Sequence, residues 1–283
     1  RALDAALQAA PYFKVRMVWE KQDAFLEPNP EPCLVYRGST QPQMPEQTNG
    51  YFFAVSCEES TVYFDWFHFL MDGHGVSPFL TRILELYCNL RYGTAFADPP
   101  LPSSPAYDIA ALVERYPLQL MDETTLQREV VQTCESTMHR ARVRLTKQSL
   151  VRKGVENGAK PFTALMGLLC IALGEYLGKD AIQYSYSGDT RDAMGVPDAS
   201  YNCVCSFQDG VALHEGIRLE EFVGPMDAAV RESLTPERKR RKMADQMGWV
   251  YKVHQQKAPL RIKQRVFQMG EYISGIPADF WFS

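Results

Sequence analysis

The absences in this sequence narrow its class first. No apolar run approaches the roughly 20 residues of a membrane span, so no spanning helix is expected. The chain opens at RALDAALQAAPYF, with neither a start Met nor the basic, apolar and small-residue pattern of a signal peptide. Charge of neither sign dominates: 30 Lys and Arg stand against 34 Asp and Glu, a net charge of -4. That balance points to no nucleic acid and no anionic membrane as partner. No G-x-G-x-x-G, P-loop, G-x-S-x-G or H-E-x-x-H occurs, and there is no repeat or low-complexity tract. No two cysteines have CxxC spacing. The seven present (Cys33, Cys57, Cys88, Cys134, Cys170, Cys203 and Cys205) are odd in number and lie mostly in apolar segments. Free thiols in a cytoplasmic protein, packed as small hydrophobes and holding no metal, are the expectation.

What is present is apolar bulk. A chain of 283 residues with 46% apolar content can build a large core and is long for one simple domain, so two halves are expected. RALDAALQAA reads as a helix stopped before Pro11, and YFKVRMVW as a strand. Residues 27 to 50, rich in Pro, Gly, Asn and Gln, read as loop. YFFAVSC and TVYFDWFHF read as two strands of a hairpin. Ser77 as N-cap and Pro78 at the first helical position predict a helix with Phe79, Ile83, Leu86 and Leu90 as its apolar stripe and Gly93 as its stop. TMHRARVRL (137 to 145) alternates as a strand would, and Thr146 to Asn157 reads as a helix. PFTALMGLLCIALGEYLG (161 to 178) is the most apolar helix and is expected to be central. Strands at 181 to 192 and 202 to 213, three helical stretches over 218 to 274, and a strand at DFWFS complete a mixed pattern. It lacks the strand-helix alternation of a dinucleotide-binding fold.

One stretch carries chemistry. TVYFDWFHFLMDGHGVSPFL runs an apolar strand into a turn and a helix, with His68 at the strand's end and Asp72-Gly73 in the turn. An H-x-x-x-D match alone is weak, arising by chance about 0.3 times in a chain of this size. Its setting strengthens it, because a strand end beside a turn presents a side chain to a cleft on rigid backbone. An unperturbed imidazole is mostly free base at neutral pH. Within reach of a hydroxyl or amine it removes the proton as that group attacks a carbonyl. A thioester suits such an attack, because thiolate leaves readily, and no enzyme nucleophile is then required. Asp72 is poorly placed to complete a triad and is expected to hold the loop through a basic partner.

FHFLMDG resembles the H-H-x-x-x-D-G motif of the superfamily that contains chloramphenicol acetyltransferase, the plant-type acyltransferases, nonribosomal peptide condensation domains and bacterial alcohol acetyltransferases. The motif's second, catalytic His falls on His68, its structural Asp on Asp72 and its Gly on Gly73. Phe67 stands where the first His would be. The standalone acyltransferases commonly lack that residue, so the likeness is to the alcohol acetyltransferase-like branch. QYSYSGDTRDAM followed by SYNCVCSF is similar to the family's glycine-arginine turn and its later Asn-containing strand. The resemblance makes Arg191 the partner of Asp72. It implies an α/β fold of two chloramphenicol acetyltransferase-like halves, 1–145 with the motif and 146–283, each a mixed sheet with packed helices. A central channel is expected between them, with Phe67, Ser185 and Asn202 as candidate lining. The family's opening strand and the strands that follow the DFWFS position are missing, so the second half is expected to be incomplete.

The implied activity is transfer of an acyl group from a thioester, acyl-CoA as co-substrate, to a small-molecule alcohol or amine, with no bound cofactor and no metal. Two other classes stay open: a condensation-type module that draws acyl groups from a carrier protein, and a non-catalytic member that only binds. His68, Asp72 and His74 spell H-x-x-x-D-x-H, which also reads as metal ligands, although the resemblance implies none. RKRRK (238 to 242) reads as a solvated helix face, or as a contact for coenzyme A phosphates or an acidic carrier protein.

Overall fold

The computed structural model describes residues 1–39, 42–97, 107–117, 144–266 and 278–282. It is a mixed α/β fold with several small sheets. The chain divides into two compact units. One draws on Arg1–Ala111, Asp189–Val204 and Trp249–Phe267, the other on Leu112–Gly188, Cys205–Gly248 and Gln268–Ser283. The expected strand over 137 to 145 lies almost wholly outside the described residues, as does Cys134.

In the first unit, helix α1 (Ala2–Ala9) leads through a 3-10 turn at Pro11–Phe13 into β1 (Val15–Trp19), which pairs antiparallel with β2 (Ala24–Pro28). A second sheet has the order β3-β4-β5, with β3 (Val35–Arg37) parallel to β4 (Phe53–Glu58), and β4 forming an antiparallel hairpin with β5 (Thr61–Trp66). The hairpin turns through Glu59 at φ 50. Two of these strands correct the sequence reading. The last two residues of β2 and all of β3 fall in the segment read as loop, because both strands are short and largely exposed and so carry little alternation. Helix α2 (Gly73–Tyr92) also begins five residues before the expected start at Pro78. Its N-cap is Asp72, whose side chain accepts from the Gly75 N–H, and Pro78 sits inside the helix.

Leu3, Leu7, Phe13, Tyr51, Phe53, Val76 and Phe79 make the core of this unit, together with Leu70 and Met71 from the turn before α2. Phe13 stacks on Phe79 at 4.1 Å and Phe53 on Phe64 at 5.2 Å. Burying each such ring contributes roughly 1.5 to 3 kcal/mol, and the turn that carries His68 is tied into this core at its C-terminal side through Leu70 and Met71.

The second unit holds α4 (Lys147–Glu156), α5 (Pro161–Leu177), α7 (Leu219–Ser233), most of α8 (Pro236–His254), and a sheet of order β7-β6-β8 from Val204–Ala212, Ala181–Asp189 and Phe280–Phe282. A short helix α3 (Ile109–Arg115) precedes them. β8, expected at DFWFS, pairs parallel with β6. α5 is the central helix as read: Thr163, Ala164, Met166, Gly167, Cys170 and Gly174 are buried. Among the described residues no single helix is long and apolar enough to cross a membrane. α4 and α5 reach that composition only together, across an 88° bend.

Candidate functional site

His68 does not sit on the strand. β5 ends at Trp66, and His68 lies in the turn that follows, exposed, between exposed Phe67 and Phe69 and buried Leu70 and Met71. The turn is pinned at several points. Phe67 N–H donates to the Phe52 carbonyl at 2.9 Å, and Leu70 N–H closes the turn onto the Phe67 carbonyl at 3.1 Å. Trp66 Nε1 donates to the Met71 carbonyl at 3.1 Å, and the Tyr12 hydroxyl to the Leu70 carbonyl at 2.5 Å. Burial pushes the Tyr12 hydroxyl well above the usual phenol range, so it stays a donor. The imidazole is therefore an exposed group on a hydrogen-bonded turn.

Beneath it lies a buried ion pair. Asp72 is 1% and Arg191 2% exposed. Arg191 opens the short helix α6 (Arg191–Met194), and its Nη2 donates to Asp72 Oδ1 at 2.8 Å. The same carboxylate oxygen accepts from Gly75 N–H at 2.8 Å, and Oδ2 accepts from Cys203 N–H at 2.9 Å. Burial would raise this carboxyl's pKa; the Arg191 hydrogen bond and the two backbone donors outweigh it and hold the pKa below the usual range. Arg191 spends its other donors on the Ala199 and Tyr201 carbonyls, each at 2.8 Å, and its Nη1 lies 3.2 Å from Asp189. Asp72 is thus an anion held by three donors. It caps α2 and is not a proton carrier.

The Arg191 turn also brings Asn202 to the histidine. Asn202 Nδ2 lies 3.2 Å from His68 Nδ1 and donates to the His68 carbonyl at 3.1 Å, while Asn202 Oδ1 accepts from Val204 N–H at 3.0 Å. So four residues read from the sequence, His68, Asp72, Arg191 and Asn202, come together. Phe67 stays at the edge of this group, its ring 6.1 Å from Phe52 and 5.9 Å from Phe69. Ser185 belongs to the second unit, where it is fully buried and its Oγ donates to the Phe207 carbonyl at 3.1 Å.

No protein-family model matches the chain, and no curated protein matches it. Solved structures do. Polyketide synthase associated protein 5 from Mycobacterium tuberculosis superposes with a TM-score of 0.59 at 15% identity, over 85% of this chain and 66% of that one. The first condensation domain of the calcium-dependent antibiotic synthetase gives 0.59 at 16%, over 84% and 65%. The epimerization domain from the third module of tyrocidine synthetase B gives 0.58 at 11%, over 86% and 64%. The chain has a condensation-domain fold. It spans about two thirds of the length of these structures.

Within this condensation-domain fold, two glycines of the motif region differ. Gly73 is exposed and a Cβ there meets nothing within 4 Å, whereas a Cβ on Gly75 would stand 2.1 Å from the Ser200 carbonyl oxygen and 3.0 Å from Arg191 Nη2. Gly75, missed in the sequence, is the residue that lets α2 meet the Arg191 turn; the second glycine of DGHG is its only signal. Tyr12 left none, since nothing local ties a tyrosine in the N-terminal segment to a turn 58 residues later.

The remaining sequence candidates scatter. His74 pairs with Asp189 at 3.2 Å and Asp72 faces Arg191, so H-x-x-x-D-x-H does not converge. Cys203 is buried beside Asp72; burial, with Asp72 and against the pull of Arg191, pushes its thiol up to about 12, which leaves it no nucleophile. In the basic run on α8, Arg238 lies 3.5 Å from Glu232, Arg240 3.7 Å from Glu237, and Arg241 6.0 Å from the centre of the Tyr116 ring.

Proposed function

We propose that the chain is an acyltransferase of the condensation type, in which His68 handles the proton. The observation that carries this reading is the exposed imidazole on a turn fixed from below by the buried Asp72–Arg191 pair. Such a site supplies a positioned base and little else. It suits a reaction whose electrophile is already activated, and a thioester is one. The acceptor's hydroxyl or amine gives its proton to His68 as its oxygen or nitrogen bonds to the thioester carbonyl. The carbon–sulfur bond then breaks, and the departing thiolate takes the proton back from His68. The product is an ester or amide and a free thiol.

The donor thioester is either acyl-CoA or an acyl group on a carrier protein. The solved structures of this fold come from peptide synthetases and a polyketide-synthase-associated protein, which favours the carrier-borne donor over the acyl-CoA and alcohol pairing of the acetyltransferase-like branch. The test offers acyl-CoA and acyl-carrier thioesters to the purified protein together with pooled alcohols and amines, and reads products by mass. Ester or amide formed only in the presence of protein supports the reading. Product from the carrier thioester alone supports the carrier-borne donor. No product from either donor class favours a protein that binds without turnover.

A further inference from the structure

The amide of Asn202 reaches His68 with its orientation fixed. Its Oδ1 accepts from Val204 N–H at 3.0 Å, and its Nδ2 faces the His68 carbonyl oxygen at 3.1 Å. Turning the amide over would set NH2 against N–H on one side and oxygen against oxygen on the other, so two independent contacts reject the flip. The group 3.2 Å from His68 Nδ1 is therefore an N–H donor. A ring nitrogen facing a donor at that distance has to offer its lone pair.

We propose that Asn202 is a positioning residue that selects the tautomer of His68, holding the free imidazole with its proton on Nε2 and its lone pair on Nδ1. The consequence for chemistry rests on the acyl-transfer reading. Nε2 of this tautomer already carries a proton and cannot receive the acceptor's. The hydrogen bond to Nδ1 has to open before the ring works as a base, and Asn202 keeps its bond to the His68 carbonyl while that happens. Asn202 then holds the base masked in the resting protein and keeps the loop in place when it is released.

The test reads the ring directly and needs no substrate. Full-length protein carrying 15N-histidine is examined by long-range 1H–15N correlation, at a pH where the imidazoles are deprotonated, and the five histidines are sorted by the signal lost in His68→Gln. The expected pattern for His68 is a protonated Nε2 and an unprotonated Nδ1. Asn202→Asp, which presents only acceptors, is expected to reverse it, and Asn202→Ala to give a mixture of the two forms. A protonated Nδ1 in the wild type, or a wild-type pattern in Asn202→Asp, overturns the proposal. A negative acyl-transfer screen leaves this measurement standing, and a reversed tautomer leaves the turnover test of His68 untouched.

Discussion

Asp72 shows how a carboxylate four residues from a histidine can matter without moving a proton. Its two oxygens take three donors, and the positive one among them, Arg191, is as deeply buried as Asp72 itself. Removing either partner strands a charge, which costs roughly 3 to 5 kcal/mol. Asp72→Asn and Arg191→Gln are each expected to lower the melting temperature and the activity together. The double variant is expected to lose less than the sum, because no charge is left unpaired. Additive losses in a double-mutant cycle, or Asp72→Asn inactive at unchanged melting temperature, contradict the pairing role. The pH dependence has a definite sign. The folded-state pKa of Asp72 lies below its unfolded value, so its contribution is present above an unfolded carboxylate pKa of about 3.9 and is lost as pH falls through the folded value. Melting temperatures across that acid limb are expected to fall less steeply in Asp72→Asn than in the wild type.

At the scale of elements, α2 and α5 show what a sequence gives away and what it hides. Phe79, Ile83 and Leu86 of the α2 stripe pack on the core and its stop at Gly93 has φ 67, all local and legible, while Leu90, read with them, is exposed. The start of α2 was not legible: Ser77-Pro78 is a strong local signal, and the cap that wins, Asp72, does so through partners 119 and 131 residues away. The approach of α2 to the Arg191 turn predicts a contrast between two glycines. Gly75→Ala drives a Cβ into the Ser200 carbonyl, and is expected to cost about 1 to 3 kcal/mol and most of the activity. Gly73→Ala meets open space and is expected to stay within about 1 kcal/mol of the wild type, since Ala favours a helix over Gly. Equal losses in denaturant unfolding of the two variants would count against this geometry. α5 was legible as the central helix, yet its cap was not. Lys160 gives no side-chain cap; instead Asp227 of α7 accepts from Lys160 N–H at 2.9 Å and from Thr163 Oγ1 at 2.6 Å. Asp227→Ala is expected to destabilise the protein by about 1 to 3 kcal/mol, measured by urea unfolding; an unchanged midpoint contradicts the cap.

For the molecule as a whole, the α/β class and most strand and helix positions were legible because hydrophobic period and Gly or Pro punctuation are local. The grouping of residues 189–204 with the N-terminal unit was not, because a chain return leaves no periodic mark. Arg191 was found through resemblance and not through spacing, since no pattern within the chain ties it to Asp72. Among the described residues no cysteine is in a disulfide, and alkylation of the unfolded protein without reductant is expected to add seven labels; any intact disulfide in freshly purified protein contradicts a reduced native state. The central claim is that His68 handles the proton of an acyl transfer. It is tested most directly by single-turnover rates of wild type and His68→Ala on one confirmed thioester and acceptor pair, with melting temperatures taken alongside. The account predicts a fall of about 10² to 10⁴ in rate at a melting temperature close to that of the wild type, because the ring is exposed and buries no core contact. Wild-type turnover in folded His68→Ala would contradict it.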